Sequence, residues 1–469
     1  MHYVQNTDAD RQAMLAAIGK PSVDALFETV PPECRFSGAL DVEPALTEDG
    51  LLRELQALAG KNVSAADHPS FLGAGLYRHA CPALVDNLVA RTEYWTAYTP
   101  YQPEASQGTL TTILEWQSMM CRLTGMEVSN ASLYDGATAT VEAVLMALRL
   151  KGDAKASSRG PSKGPSQGPS RGDAQTVLVS AGVHPDARGA LATYMRSLGV
   201  KLVEIPLEGG ATPSGGISAH SGSDVAAVVV QSPNFHGVIE DTESLCHAAR
   251  AFEAFAIVNA DPVSLAVLEA PGRSGADMAC GEATSMGNRP WFGGPGVGYL
   301  CARMEHVRQM PARIAGETTD AKGRRAVVLT FQTREQHIRR AKATSNICTS
   351  QQLMALRATI WMALFGKQGF HELGITNLSR AHYAAERIAA LPGYALTYPK
   401  HAFFKEFSVT TPIPAKKLNA QLLRKHGILG GYDLGRLDKA RQNEWLLAVT
   451  DMNTKAEIDS LVAALETIR

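Results

Sequence analysis

The stretch Val225-Ala226-Ala227-Val228-Val229-Val230-Gln231 is a near-continuous apolar run of strand length. A strand of that kind is buried on both faces, which is the condition inside a parallel sheet covered by helices. The flanking sequence repeats the pattern. On its N-terminal side, Thr176–Ser180 and Val200–Ile205 read as strands. Between them His184-Pro185 opens a helix whose inner face is Leu191, Tyr194, Met195 and Leu198. On its C-terminal side come a helix over Glu243–Ala254 and strands over Ala256–Ala260, Asp277–Gly281 and Val297–Ala302. Strands separated by helices of this length define an α/β fold with a doubly wound, mostly parallel sheet. Ligands in such sheets bind at the carboxyl ends of the strands.

Further out the character changes. Residues 1–66 read as an arm of short helices, Ser22–Phe27 and Leu51–Leu58, interrupted at Pro31-Pro32. An arm of this type either wraps a neighbouring chain or caps its own domain. Leu84, Val85, Leu88 and Val89 form one helical stripe, and Val141, Val144, Leu145 and Leu148 another. The segment 157–172 runs Ser-Ser-Arg-Gly-Pro-Ser-Lys-Gly-Pro-Ser-Gln-Gly-Pro-Ser-Arg-Gly and has no apolar anchor, so it reads as a solvated low-complexity insert. Residues 209–224 form a second Gly/Ser-rich loop. After about residue 330 come a charged helix (Arg334–Ala343), apolar helices (Gln351–Phe365, Ala384–Leu391) and strands (Ala395–Tyr398, Glu406–Thr410, Trp445–Val449). A helix over Leu461–Ile468 follows. The expected division is an arm (1–66), a large domain (67–330) and a small C-terminal α+β domain (331–469). That layout resembles pyridoxal-phosphate (PLP) enzymes of the aminotransferase fold type I.

Composition narrows the function. The 469 residues are 45% hydrophobic and 19% charged, with a net charge of -1. Neither nucleic acid nor an anionic membrane is an expected partner for so balanced a charge. The polar, acidic start and the lack of a long apolar run point to a cytoplasmic protein without a signal peptide. Seven scattered cysteines with no CxxC pair read as reduced thiols, and no cluster has metal-ligand spacing.

Several strings carry hydrogen-bonding groups at places where a site could form. Tyr98-Thr99-Pro100-Tyr101-Gln102-Pro103-Glu104-Ala105-Ser106-Gln107-Gly108 is a loop stiffened by two prolines. It is either a preorganised site or a solvent-facing turn. Asn130-Ala131-Ser132-Leu133-Tyr134-Asp135-Gly136-Ala137-Thr138-Ala139-Thr140 leads into a helix. Its free N–H groups suit an anion, and Asp135 or Thr138 suits a plain N-cap. Asp261, at the end of a strand and before Pro262, is either a pyridine-nitrogen partner or a turn former. Trp291–Gly298 is glycine-rich but precedes a strand, so it is no nucleotide fingerprint. His337 has no evident acid/base partner and is assigned no catalytic role.

One feature of the fold's chemistry is missing. PLP enzymes of this class hold the cofactor through a lysine late in the large domain. The chain has no lysine between Lys201 and Lys322, and Gly275–Gly287 offers only Glu282, Thr284 and Ser285 in its place.

Six strings, FLGAGLYRHACP, TAYTPYQPEASQG, LTGMEVSNASLYDGATA, QSPNFHGVIED, FGGPGVGYLCAR and REQHIRRAKATSNICT, lie between Phe71 and Thr349. Together they resemble the alpha subunit of glycine dehydrogenase (decarboxylating), the P-protein family of the glycine cleavage system. The resemblance implies a split enzyme. A beta subunit carries PLP and its lysine, and the alpha subunit carries no cofactor and no catalytic residue of its own. The two form an α2β2 heterotetramer. It decarboxylates glycine and passes the aminomethyl group to the lipoyl arm of H-protein. Carried onto this sequence, Tyr98, Tyr101, Glu104 and Gln107, with Asn130 and Thr138, would line the shared cleft by positioning and electrostatics. Two alternatives stand beside this: a scaffold or regulatory subunit that stabilises a PLP-enzyme partner, and a self-sufficient decarboxylase using Lys201 or Lys322.

Overall fold

The structure is a computed structural model that describes residues 5–36, 38–95, 99–158, 175–222, 224–291 and 293–468, with backbone alone for 153–158. Most of the low-complexity insert and Tyr98 lie outside the described residues. The chain forms two compact units, residues 1–63 and 64–469.

Among its described residues the first unit holds two α-helices. α1 (Asp8–Ala17) starts at a capping box, in which Thr7 Oγ1 accepts from the Asp10 N–H and the Asp10 carboxylate accepts from the Thr7 N–H. α2 (Glu48–Ala59) is N-capped by Thr47, and none of its side chains is buried. The helix expected over Ser22–Phe27 shrinks to one 3-10 turn, Asp24–Phe27. Prolines at 21 and 31 leave room for little more.

The second unit is built on a seven-stranded sheet. α3 (Ala83–Val89) and α4 (Gln107–Thr124) precede β1 (Val128–Ser129), and α5 (Gly136–Ser158) leads to β2 (Thr176–Ser180). There follow α6 (Pro185–Leu198), β3 (Lys201–Ile205), α7 (Ser214–Ser218), β4 (Val225–Ser232), α8 (Thr242–Arg250), β5 (Phe255–Ala260), β6 (Met278–Glu282) and β7 (Gly298–Ala302). The strand order is β1-β7-β6-β5-β4-β2-β3. The four pairings from β3 to β6 are parallel; β7 is antiparallel to β6 and to β1. The sheet is mostly parallel, as expected, with an antiparallel end, because the link from β6 to β7 has no crossover helix among its described residues to carry the chain back.

Alternation along β4 explains its apolar run. Val228 and Val230 pack with Trp116, Val258 and Trp361 on one side, and Ala227 and Val229 pack with Val144, Leu148, Leu191 and Ile257 on the other. Both faces are covered along Val225–Val230, and the polar residues Gln231 and Ser232 stand only at the strand's carboxyl end. Tyr194 departs from the expected inner face of α6; it is exposed, and Ala187, Leu191 and Met195 do the packing.

A hairpin that the sequence reading did not identify follows: β8 (Ile314–Thr319) and β9 (Arg325–Thr330), joined through Asp320 and a left-handed Gly323. The charged helix expected over Arg334–Ala343 is broken. Only α9 (Gln336–Arg339) is helical there, flanked by 3-10 turns, because Arg340 has φ 53° and Arg334 turns inward to donate to the Ala312 carbonyl. The two apolar helices anticipated after Gln351 are the ends of α10 (Gln352–Ala389), whose halves meet at a non-helical Gly366.

A four-stranded antiparallel sheet closes the unit, with order β10 (Ala395–Leu396), β11 (Glu406–Thr410), β13 (Glu444–Ala448) and β12 (Tyr432–Asp433). α11 (Ala415–His426) and α12 (Lys455–Glu466) cover it, burying Leu418, Leu422, Trp445, Leu461 and Leu465. α11 was absent from the sequence reading, its apolar stripe being only Leu418 and Leu422 among charges.

Candidate functional site

The carboxyl ends of β4, β5 and β6 place Gln231, Asp261 and Glu282 around one cleft of about 470 Å³. The start of α5, His184 at the start of α6, the segment Ala74–Tyr77 and the Gly293–Gly296 turn complete its wall. This is the place a doubly wound sheet reserves for a ligand.

Glu282 stands at the N-terminus of α5. Its Oε2 accepts from the Gly136 N–H at 2.8 Å, and its Oε1 accepts from the N–H groups of Val297 at 2.8 Å and Thr284 at 3.0 Å. The Thr284 hydroxyl donates to the same carboxylate. The carboxylate thus occupies the anion position that the helix terminus creates. Gly136 has to be glycine, since a Cβ there would lie 2.8 Å from Glu282 N. Asp135 caps the same helix, accepting from Thr138 N–H at 2.7 Å.

Asp261 is held by Lys405, which precedes β11 in the other sheet. The Lys405 Nζ is 2.7 Å from Asp261 Oδ2, and both side chains are largely buried. The ammonium also donates to His79 Nε2 at 2.9 Å and sits 3.7 Å from the centroid of the Tyr77 ring. With Nε2 accepting, His79 carries its proton on Nδ1 and donates it to Asp451 Oδ1 at 2.5 Å. Burial and the Lys405 charge push the His79 pKa down, which keeps the ring neutral. The Tyr77 hydroxyl donates to Glu406 Oε2 at 2.7 Å, and Ala74 N–H donates to Oε1 at 2.6 Å. Burial lifts the Glu406 pKa to about 7, against the pull of those donors.

His184 forms another wall. Its Nδ1 accepts from Asp186 N–H at 3.1 Å, so Nε2 is the protonated nitrogen and donates to the Ala74 carbonyl at 2.9 Å. Gly75 makes that approach possible; with φ 100°, a Cβ would lie 2.7 Å from His184 Nε2.

The residues singled out from sequence fall in two places. Tyr101, Gln107 and Asn130 gather beside the β8–β9 hairpin. Tyr101 is half-exposed and accepts from Arg313 Nη2 at 3.2 Å, with its ring against Arg313 and edge-on to His337. His337 therefore has neighbours the sequence reading did not find, Tyr101 and Glu335. Gln107 ties α4 to β9, accepting from Val327 N–H and donating to its carbonyl, both at 2.9 Å. Asn130 is buried and donates to the Pro311 carbonyl. Glu104 is exposed. Thr138 belongs instead to the cap of α5, beside the cleft, and Tyr98 lies outside the described residues. None of the described ones lines the Asp261 cleft. Tyr77, His79, His184, Lys405 and Glu406 were not found from sequence. Their one signal was Lys405-Glu406 set inside the aromatic run Phe403-Phe404-…-Phe407, a charged pair where a buried strand begins.

The cleft does not fit PLP. No lysine lines it among the described residues. Lys201 is exposed at the start of edge strand β3, and Lys322 is exposed in the β8–β9 turn, so neither reaches it. Glu282 takes the Gly136 N–H at the start of α5, where a phosphate would seek donors, and Lys405 pairs with Asp261, the carboxylate a pyridine nitrogen would seek. Among the described residues no cluster of His, Cys, Asp or Glu could hold a metal ion, and no helix is long and apolar enough to cross a membrane.

The fold is that of the fold type I PLP-dependent enzymes. It resembles the Lactobacillus brevis glutamate decarboxylase with a TM-score of 0.67 over 95% of this chain and 98% of that one, at 13% identity. The chain belongs to the glycine cleavage system P-protein family, whose pattern matches residues 1–159 and 164–465. It is 46% identical over 466 residues to the probable glycine dehydrogenase (decarboxylating) subunit 1 of Chlorobium limicola, covering 99% of each chain. The protein of the same description from Anoxybacillus flavithermus is 44% identical over 463 residues, covering 99% of this chain and 98% of that one. The inhibitor-bound crystal structure of glycine decarboxylase (P-protein) of the glycine cleavage system superimposes with a TM-score of 0.85 at 39% identity, over 99% of both chains.

Proposed function

We propose that the chain is the alpha half of a composite glycine decarboxylase. PLP and its lysine reside in a beta subunit, the assembly is α2β2, and the aminomethyl product passes to the lipoyl arm of H-protein. The single observation that carries this reading is the cleft of the large sheet, which no lysine lines among the described residues and whose Asp261 and Glu282 are already paired within the chain. A chain so built supports glycine decarboxylation only through a partner that supplies the cofactor, whose chemistry is that of an electron sink.

This chain's contribution is to shape and exclude. Tyr101 and Glu104 present a phenol and a carboxylate to the shared cleft, with Gln107, Asn130 and Thr138 fixing the backbone behind them. Tyr101 is suited to this: Arg313 and His337 hold its ring, which restricts the phenol to few orientations. Gln107 fastens the rigid loop to β9.

The test is cofactor stoichiometry. The complex co-purified from cells expressing both subunits should have the mass of α2β2 and release one PLP per αβ pair on denaturation. Two PLP per pair, or a complex containing only this chain with bound cofactor, would contradict the assignment.

A further inference from the structure

We propose that this chain carries an internal substitute for the cofactor: the Glu282 carboxylate takes the N–H donors that a phosphate ester would need, and the Lys405 ammonium pairs with the Asp261 carboxylate that a pyridinium would need, so the cleft refuses phosphorylated pyridine ligands. The inference rests on the reading above, that the cofactor belongs to the partner, and supplies its physical basis in this chain.

Each charge of such a ligand meets a group that this chain has already paired. A phosphate ester at the start of α5 would draw on the N–H groups of its first turn. Here the Gly136 N–H already donates to Glu282, and the N–H groups of Val297 and Thr284 with the Thr284 hydroxyl close around the same carboxylate. An incoming dianion would meet a fixed negative charge where it needs donors. At the other end a pyridinium would need the free carboxylate of Asp261. Its Oδ2 is 2.7 Å from Lys405 Nζ, and its Oδ1 accepts from Val263 N–H at 3.1 Å. Lys405 cannot simply swing aside, because its side chain is 3% exposed and is fixed by His79 Nε2 and the Tyr77 ring. Two like-charge conflicts at opposite ends of one ligand make the refusal specific to its class.

The same pairs do structural work. Asp261 follows β5 of the large sheet, and Lys405 precedes β11 of the small one. Their ion pair, extended through His79 to Asp451 and through Tyr77 to Glu406, joins the two sheets beside the cleft.

The test uses the full chain and two probes, inorganic phosphate and pyridoxine 5′-phosphate, which lacks the aldehyde and cannot react with surface lysines. Binding is followed by calorimetry and by the thermal midpoint, with chloride matching the ionic strength. The native chain should bind neither probe saturably. Glu282→Ala should bind phosphate and gain thermal stability from it. Glu282→Ala/Lys405→Met should bind pyridoxine 5′-phosphate at least about tenfold more tightly than Glu282→Ala does. If Glu282→Ala unfolds, phosphate should restore its fold, because the anion replaces the lost carboxylate. Saturable binding of either probe by the native chain would overturn the inference. So would a Glu282→Ala chain that responds to phosphate no more than the native one, whether folded or not. Glycine-dependent CO2 exchange by the native chain with its partner separates the two readings: activity confined to the mixture, with no gain of binding in the variants, sinks this inference and leaves the proposed function standing.

Discussion

Removing the Lys405 ammonium should expose how much the closed cleft contributes to stability. At the observed 2.7 Å separation and an effective dielectric constant near 20, the Lys405–Asp261 attraction is about 6 kcal/mol before desolvation. Burying both charges offsets much of that, so the net value of the pair is far smaller. Removing one partner differs, because it strands the other charge in a desolvated place at a cost of about 3–5 kcal/mol. Lys405→Met should therefore destabilise the chain by about 3–5 kcal/mol, including the lost contact with the Tyr77 ring. Asp261→Asn should cost less, since Lys405 keeps His79 and the ring. The double variant should be little worse than Lys405→Met, giving a coupling of about 1–3 kcal/mol in a double-mutant cycle. Urea unfolding of the four chains, followed by tryptophan fluorescence and circular dichroism at one pH, measures all these terms. Strictly additive costs, or a Lys405→Met chain within about 0.5 kcal/mol of the native one, would refute the claim that the pair replaces a ligand.

Glu406 should impose a pH dependence. Its folded pKa, raised by burial to about 7 from 4.5, makes the native state hold a proton the unfolded chain has released. That contribution is fully present below about pH 4.5 and is lost as pH rises through 7, amounting to about 3 kcal/mol; stability of the native chain relative to Glu406→Gln, measured by urea titration from pH 5 to 8, should fall with rising pH. Gly75→Ala should cost about 1–3 kcal/mol, because alanine at φ 100° is strained and its Cβ meets His184; an unchanged thermal midpoint would contradict the observed His184–Ala74 contact. In the assembled enzyme, Tyr101→Phe or Glu104→Gln should lower glycine turnover by roughly tenfold with assembly intact, and unchanged turnover would remove these residues from the shared cleft. Residues 64–469 expressed without the arm should unfold cooperatively near the native midpoint, because that unit contains its own three main cores; a molten fragment by near-ultraviolet dichroism would show the arm to be part of the fold.

The parts of the molecule legible in the sequence are those where one periodicity acts alone. Strands β2, β4 and β5 and helices α5 and α6 were readable because burial on one or both faces forces an uninterrupted pattern. The β8–β9 hairpin was missed because β9 alternates only weakly and the outer half of β8 is polar. Around Arg334 the charges read as a solvated face, and tertiary contacts overrode that reading by turning Arg334 inward to the Ala312 carbonyl. The site divides in the same way. An absent lysine is visible in a sequence, as are Asp261 and Gly136 at element ends. Lys405 lies 144 residues from Asp261 in the chain, and Glu282 lies 146 from Gly136, so no local pattern could announce either contact. The strings that carried the family resemblance include Tyr77, His79, Gly136 and Gln231, all in or behind the cleft, and they held its shape without naming its occupant.

The central claim is that the chain acts only in company. It is tested most directly by glycine-dependent CO2 exchange with lipoylated H-protein and PLP, using this chain alone, the beta subunit alone and the two mixed. The account predicts exchange in the mixture alone; full exchange by the beta subunit without this chain, or any exchange by this chain without the beta subunit, would contradict it.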